Sequence, residues 1–205
     1  KISWCKNISG CFFHLCQNVF RCVQRSGLTQ LYGDDPDFSQ QIRALPALSF
    51  LPAADVIPTF EELKHQFPGQ GQPVIDYFEH TYIGMKDRLS RPRKTPKFAL
   101  ELRNTNKNTL NGHHRTNNVV EGWNNRLSSM LNCSHPNLWK FIKYLKIEQS
   151  YIDEIIAQAE AGERQPIKKS QFRREKRLIN ILNKRTTTNL DKILTIAHNI
   201  TLKSA

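Results

Sequence analysis

No apolar run in this sequence of 205 residues approaches the roughly 20 residues that are needed to cross a bilayer. The chain begins at Lys1 and lacks a basic-then-apolar leader that ends at small residues. We therefore expect a segment of a longer, intracellular protein rather than a secreted one. Internal repeats are also missing, and asparagine is the only residue that clusters locally. These absences exclude repeat architectures.

Cysteine is scarce and odd in number. The five residues are Cys5, Cys11, Cys16, Cys22 and Cys133. An odd count without a secretory context favours reduced thiols, so we expect no disulfide bonds. Only Cys11 and Cys16 fall within the C-x₂₋₄-C spacing of a structural zinc site, no second such pair follows, and Cys16 and Cys22 fall among apolar helical positions. The spacing does not favour zinc, and these two residues are expected in the core.

Acidic residues are few in the second part of the chain. Residues 34–79 carry eight acids against Arg43 and Lys64, whereas residues 80–205 carry 24 basic residues against ten acids, and the formal net charge is +12. A field of this sign attracts polyanions, so DNA is the first partner to consider. RNA, acidic proteins and a merely solvated basic surface are the alternatives.

The hydrophobic pattern predicts a mainly α-helical chain with at most one or two strands. In the first half, helices are expected from Phe12 to before Gly27, from Asp35-Pro36 to Pro46, and from Pro73 through Tyr82. Pro52 and Pro58 are expected to open two separate turns. An all-helical cluster is therefore predicted for this region.

The second half is expected to begin irregularly and then become helical again. Residues 83–116 are predicted to be irregular except for a short extended segment at Phe98–Leu102. Helices follow from the cap Asn118 to Leu131, over 138–161, near 170–184 and over 188–200. Trp139 and Phe141 recur at helical spacing, which predicts that they lie in the core rather than stack on bases.

Glu121 has two interpretations. If Asn118 is the N-cap, Glu121 occupies the third helical position of a capping box and stabilises the helix by about 1 kcal/mol. Alternatively it is a metal ligand in phosphoryl transfer. Such a site needs several carboxylate oxygens around two cations that lie roughly 4 Å apart, so one glutamate does not suffice.

Four sequence strings carry a resemblance to a known family. They are Gly10-Cys-Phe-Phe-His14, Thr81-Tyr-Ile-Gly84, Arg115-Thr-Asn-Asn-Val-Val-Glu121-Gly-Trp123 and Cys133-Ser-His-Pro-Asn-Leu-Trp-Lys-Phe-Ile142. Together and in this order they resemble the C-terminal part of the catalytic domain of Mutator-like element transposases. The chain departs from the family at Asn124, where a histidine often follows the tryptophan.

The resemblance implies the C-terminal portion of a ribonuclease H-like core with a helical insertion and with most of the β-sheet missing. Its expected parts are a core remnant with the Cys-x-x-His helix (1–25), a mainly helical insertion (26–112), returning core helices with Glu121 (113–162) and a basic helical tail (163–205). Glu121 would be the last of three catalytic carboxylates and would bind Mg²⁺ or Mn²⁺. Cys11 and His14 would lie near the active site or the DNA as candidate metal ligands.

Only one of the three family carboxylates is recognisable. Asp34, Asp35 and Asp37 have no family context and are interpreted as acids at a helix start. We therefore expect a transposase fragment that binds element-end DNA in the nucleus without complete cleavage and strand-transfer activity. A homo-oligomer is compatible with this family, and no membrane partner is expected.

The residues expected to contact DNA fall in three places. They are Arg88, Arg91, Arg93 and Lys94 in a loop, Arg115 and Asn117 before Glu121, and Lys168, Lys169, Arg173, Arg174, Lys176 and Arg177 in the tail. The tail is equally typical of a nuclear-import signal or of a solvated helix face. One rival hypothesis is a helical protein-interaction module, for which DNA binding would be absent or insensitive to salt. Another is a zinc-stabilised module, which would hold stoichiometric metal and unfold when a chelator removes it.

Overall fold

The computed structural model describes residues 9–86, 92–163 and 168–202. Over these ranges the chain forms helices and no β-strand, which confirms the mainly α prediction. The chain divides into two compact units, here called unit 1 (residues 1–116 and 173–205) and unit 2 (residues 117–172). None of the described helices combines the length and the apolar character needed to span a membrane.

The described ranges contain eleven α-helices and three short turns of other helix types. The α-helices are α1 Phe12–Arg25, α2 Thr29–Asp34, α3 Pro36–Ala47, α4 Ala53–Gln66, α5 Gln72–Phe78, α6 Leu100–Arg103, α7 Asn106–Leu110, α8 Asn118–Leu131, α9 Leu138–Glu160, α10 Lys169–Asn183 and α11 Asn189–Ala197. The short turns are the 3₁₀ turns Leu48–Phe50 and Gly69–Gly71 and the π turn Glu79–Ile83.

Local signals in the sequence explain where several helices start and end. Asp35 caps α3, since its Oδ1 accepts hydrogen bonds from the backbone N–H of Asp37 at 2.9 Å and of Phe38 at 3.0 Å. Gly27 follows α1 with a φ of 71°, a conformation that glycine adopts without strain. Asn137 caps α9 by accepting from the N–H of Lys140 at 2.8 Å.

Two prolines lie inside helices, although Pro46 was predicted to end a helix and Pro58 to open a new turn. Pro46 lies inside α3 and Pro58 lies inside α4, so the separate turns expected at Pro52 and Pro58 are one helix. A proline removes one backbone donor from a helix, and the packing of the rest of the helix can offset that loss. Pro46 itself is buried.

The core of unit 1 joins the two ends of the chain. Ile193 and Ile196 of α11 are fully buried, and α11 packs on α3 and α4. Phe60 and Phe78, also fully buried, stack with their ring centroids 6.1 Å apart. Part of the apolar surface that stabilises unit 1 therefore lies between helices that are far apart in sequence, such as α3 and α11.

The segment before unit 2 was predicted as irregular with an extended stretch, and this is wrong in detail. Residues 100–103 form the single turn α6, and α7 follows it. Tertiary hydrogen bonds satisfy this backbone, because Gly10 N–H donates to Leu102 O at 2.5 Å and Thr105 N–H donates to Ser49 O at 2.8 Å. No neighbouring strand is present in the described ranges to hold an extended stretch.

Unit 2 is built around the contact of α8 with α9. Leu127 and Leu131 are its buried apolar residues in the described part of the chain. The carboxylate of Glu148, which is 3% exposed, accepts a hydrogen bond from Arg126 Nε at 3.1 Å. Trp139 is 80% exposed and Phe141 is 37% exposed, so their predicted core position is wrong.

Candidate nucleic-acid interface

The part of helix α10 that belongs to unit 1 presents a basic concave surface. The helix forms because Leu178, Ile181 and Leu182 recur on one side and pack against the core of unit 1. Beside them lies an open cavity of about 410 Å³, here called the α10 groove, which is lined by Arg173, Lys176, Arg177, Asn180, Ile181 and Lys184. Four of these six residues are cations and none is an acid, so the groove attracts anions.

Glu175, the one acid between Arg164 and Arg185, is neutralised within unit 1. The guanidinium of Arg115 donates two hydrogen bonds to Glu175, from Nη1 to Oε2 at 2.6 Å and from Nη2 to Oε1 at 2.7 Å. Hydrogen bonding by Arg115 lowers the pKa of Glu175 below its ordinary value, against the opposing effect of burial. The carboxylate therefore subtracts little from the positive field of α10.

Two of the strings that carry the family resemblance meet in unit 1. Phe12 N–H donates to the backbone oxygen of Arg115 at 2.9 Å. This bond ties the Cys-x-x-His string to the start of the Arg-Thr-Asn-Asn string, about a hundred residues later in the chain. The guanidinium of Arg115 also lies 5.7 Å from the ring centroid of Phe50. Arg115 thus connects α1, the core and α10.

A second cavity, of about 180 Å³, lies beside Cys11 and His14. One of its lining residues is Arg103, which is 6% exposed and donates from Nη2 to Tyr82 O at 2.8 Å. Burial lowers the pKa of Arg103 to about 10. Nothing in the string Leu-Glu-Leu-Arg distinguishes a buried arginine from a solvated one, so the sequence does not single out Arg103.

Glu121 does not form the predicted capping box. Asn117, rather than Asn118, is the N-cap of α8, and its side chain makes no cap hydrogen bond. Glu121 is therefore the fourth helical residue, one position beyond the reach of a capping box. Its N–H donates to Asn117 O at 3.0 Å, an ordinary helical bond.

The metal-binding role of Glu121 stays a prediction. In the described ranges no group of three or more histidine, cysteine, aspartate or glutamate side chains is arranged to hold a metal ion. Glu121 alone does not fit a two-cation site. Cys11 is the N-cap of α1, and the side chain of His14 is exposed.

The predicted loop contacts divide into three cases. Arg88 and Arg91 lie outside the described residues. Lys94 is exposed. Arg93 pairs with Glu61 and donates from Nη1 to Glu79 Oε1 at 2.9 Å. The guanidinium of Arg93 is therefore already engaged by two carboxylates.

The tail residues outside the groove are accessible to a ligand. Lys168, Lys169 and Arg174 are all exposed, and Asn117 is half-buried.

Cys16 and Cys22 are buried as predicted. Burial raises the pKa of the Cys16 thiol to about 12, so this residue stays protonated. No disulfide joins any of the four described cysteines.

Comparison of the chain with protein-family models, with curated proteins and with solved structures gives no match. The likeness to Mutator-like transposases therefore depends on the four strings alone.

Replacing Arg115 by glutamine is expected to make the melting temperature of the chain depend less on pH in acid solution. Because the pKa of Glu175 is lowered by folding, the pair stabilises unit 1 above the unfolded carboxyl pKa of about 4.3, and this stabilisation is lost as the pH falls through the folded value. The melting temperature of the unsubstituted chain should exceed that of Arg115→Gln at neutral pH, and the difference should shrink in acid. Circular dichroism melts over a pH series measure it.

Arg21→Gln is the control for this variant, because Arg21 is an exposed arginine of α1 with no carboxylate partner in the described ranges. Its pH profile should match that of the unsubstituted chain. A difference between Arg115→Gln and the unsubstituted chain that does not change with pH would contradict the proposed role of Glu175.

Proposed function

We propose that this chain is the C-terminal part of a Mutator-like DNA transposase that binds DNA through the α10 groove and does not complete DNA cleavage. The observation that carries the proposal is the groove itself, with four cations and no acid among its lining residues. Phosphates are the anions that such a surface contacts on DNA, and these contacts need no particular base sequence. Nuclear localisation is part of the same proposal.

The order of the family-like strings supports the transposase assignment. The Cys-x-x-His and Arg-Thr-Asn-Asn strings are distant in sequence yet share a backbone hydrogen bond, from Phe12 to Arg115. In this proposal α1 and α8 are remnants of a ribonuclease H-like core, and the helices between them are the insertion.

Incomplete chemistry follows from the carboxylates. Glu121 would be one ligand of Mg²⁺ or Mn²⁺, and a bound pair of such cations would activate the attacking oxygen and stabilise the leaving one. Asp35, one of the acids between the strings, is occupied as a helix cap. In the described ranges no group of three or more histidine, cysteine, aspartate or glutamate side chains is arranged to hold a metal ion, and this supports the proposal of incomplete chemistry.

Removing three groove cations tests the DNA contact. For the triple variant Arg173→Gln, Lys176→Gln, Arg177→Gln, we expect affinity for a random-sequence DNA duplex to fall by about tenfold or more at low salt. The slope of log K against log salt concentration should become shallower by about 3, since each phosphate contact contributes about 0.9. Fluorescence anisotropy titrations at several salt concentrations measure both quantities.

A variant of equal charge provides the control. The triple Arg21→Gln, Arg25→Gln, Lys107→Gln removes the same charge from exposed positions of α1 and α7. If DNA binding is a general charge effect, both triples will change the salt slope equally, and the groove assignment fails. Salt-insensitive binding by the unsubstituted chain would refute DNA binding through phosphate contacts altogether.

The proposed lack of DNA cleavage activity has its own test. The chain is incubated with supercoiled plasmid or element-end DNA and with Mg²⁺ or Mn²⁺, and we expect no nicking. Metal-dependent nicking that disappears in Glu121→Gln would contradict this part of the proposal, because it would mean that other residues of the chain complete the metal site with Glu121.

One observation favours the rival function, a helical protein-interaction module. Of the exposed large apolar residues in the described ranges, most belong to α8 and α9 of unit 2. Such a surface is more typical of protein contact than of phosphate contact.

A further inference from the structure

Helix α9 carries an apolar stripe that unit 2 does not bury. Leu138 is 65% exposed, Ile156 is 50% exposed and Ile152 is 36% exposed. Contiguous exposed apolar surface on a helix marks a site of protein contact. The stripe borders the side of α9 that packs on α8: Glu148 is buried there, and Leu145 and Ile152, three and four residues from it in sequence, are less exposed than Leu138.

The stripe has the spacing of a coiled-coil seam. The positions on it are Leu138, Ile142, Leu145, Gln149, Ile152, Ile156 and Ala159, which follow one another at alternating intervals of four and three residues. This heptad repeat keeps one line of side chains facing a partner helix over the length of α9, about 34 Å. Its single polar member, Gln149, is the middle residue of α9. One polar residue in a seam is a common device for setting register.

The charges of α9 are divided between its two halves. Residues 138–147 carry three lysines and no acid. Residues 148–160 carry four acids and no lysine or arginine. A helix of this kind repels a parallel copy of itself and attracts an antiparallel one, because only the antiparallel pair places each basic half against an acidic half.

We infer that α9 is the interface of a homodimer, in which two copies pair antiparallel through the seam and cross near Gln149. Such a contact is isologous, since each copy contributes the same surface to a twofold axis. Crossing at the middle of the helix brings Lys146 of each copy beside Asp153 of the other, and both residues lie one position after a seam residue. The two ion pairs flank the axis symmetrically. This inference does not depend on DNA binding.

Charge reversal beside the seam is the test. In Lys146→Glu the flanking positions 146, 153 and 160 all become acidic, and in the double variant Asp153→Lys, Glu160→Lys they all become basic. We expect the unsubstituted chain to sediment as a dimer in the absence of DNA. Each variant alone should raise the dimer Kd by about tenfold or more, because like charges then face each other across the axis. An equimolar mixture of the two variants should form a heterodimer.

Two further variants separate the seam from general charge and folding effects. Lys143→Glu makes the same charge change as Lys146→Glu on a side of α9 that faces away from the seam, so its Kd should stay that of the unsubstituted chain. Ile156→Ser removes an exposed seam residue and should weaken the dimer without lowering the helix content seen by circular dichroism. Analytical ultracentrifugation over a wide range of protein concentrations measures each Kd.

Three outcomes would overturn the inference. The first is an unsubstituted chain that is monomeric at every concentration, which would mean that another partner or no partner covers the stripe. The second is a dimer that both charge-reversed variants still form. The third is a mixture of the two variants that yields no heterodimer. Loss of DNA binding in the groove variants would leave the inference intact, since those variants should still dimerise.

Discussion

Replacing Ile193 by aspartate is expected to unfold unit 1. Ile193 is fully buried in α11, which packs on α3 and α4. An unpaired carboxylate at such a position loses its hydration and gains no partner, which costs more than about 4 kcal/mol. Since the free energy of unfolding of a small domain is only about 5–15 kcal/mol, the substitution removes much or all of the stability of unit 1. Loss of helical circular dichroism and of a cooperative melt are the measured results.

Thr195→Asp is the matched control for this prediction. Thr195 lies two residues further along the same helix and is exposed. The new carboxylate stays solvated there, and the change in the free energy of unfolding should be within about 1 kcal/mol, including the effect of a negative charge near the end of the helix. If both variants melt like the unsubstituted chain, α11 does not dock on the core.

Phe60→Ala is expected to lower the free energy of unfolding of unit 1 by about 3–5 kcal/mol. The phenyl ring is fully buried and stacks on Phe78. Its removal loses both the transfer free energy of the ring and the contacts of the atoms that line the resulting cavity. Urea unfolding followed by circular dichroism gives the change from the midpoint and the slope.

The control here is Phe13→Ala, since Phe13 is 40% exposed on α1. It removes the same atoms at a site where solvent already reaches the ring. Its effect should be clearly smaller than that of Phe60→Ala. Equal effects at the two positions would contradict the burial described for α4 and α5.

The features of the fold that sequence predicted correctly are those with a local cause. The helix cap at Asp35, the glycine after α1 and the start of α9 each depend on residues within four positions of one another. The basic amphipathic character of α10 also follows from sequence alone, because Arg173, Arg174, Lys176 and Arg177 stand beside apolar residues at helical spacing. Such signals do not require knowledge of what packs against the helix.

The predictions that were wrong depend on distant contacts. The extended segment at Phe98–Leu102 is replaced by the turn α6, which is held by hydrogen bonds to residues far earlier in the chain, among them Gly10. Pro58 stays inside α4, in which Phe60 and Leu63 are fully buried. The spacing of apolar residues along the sequence does not show which distant backbone groups form hydrogen bonds or which core residues pack on a helix. It also does not show whether a residue such as Trp139 is exposed.

The helical class, most helix boundaries, the positive charge of the tail and the position of Glu121 near the start of α8 can all be predicted from local sequence. Which charges remain available to a ligand depends instead on long-range packing. Arg115 is held by Glu175, Arg93 is held by two acids, and Arg173 and Lys176 line an open groove. The reason is that the electrostatic field at a surface depends on which opposite charges lie within a few ångströms, and for Arg115 that neighbour comes from a residue 60 positions away.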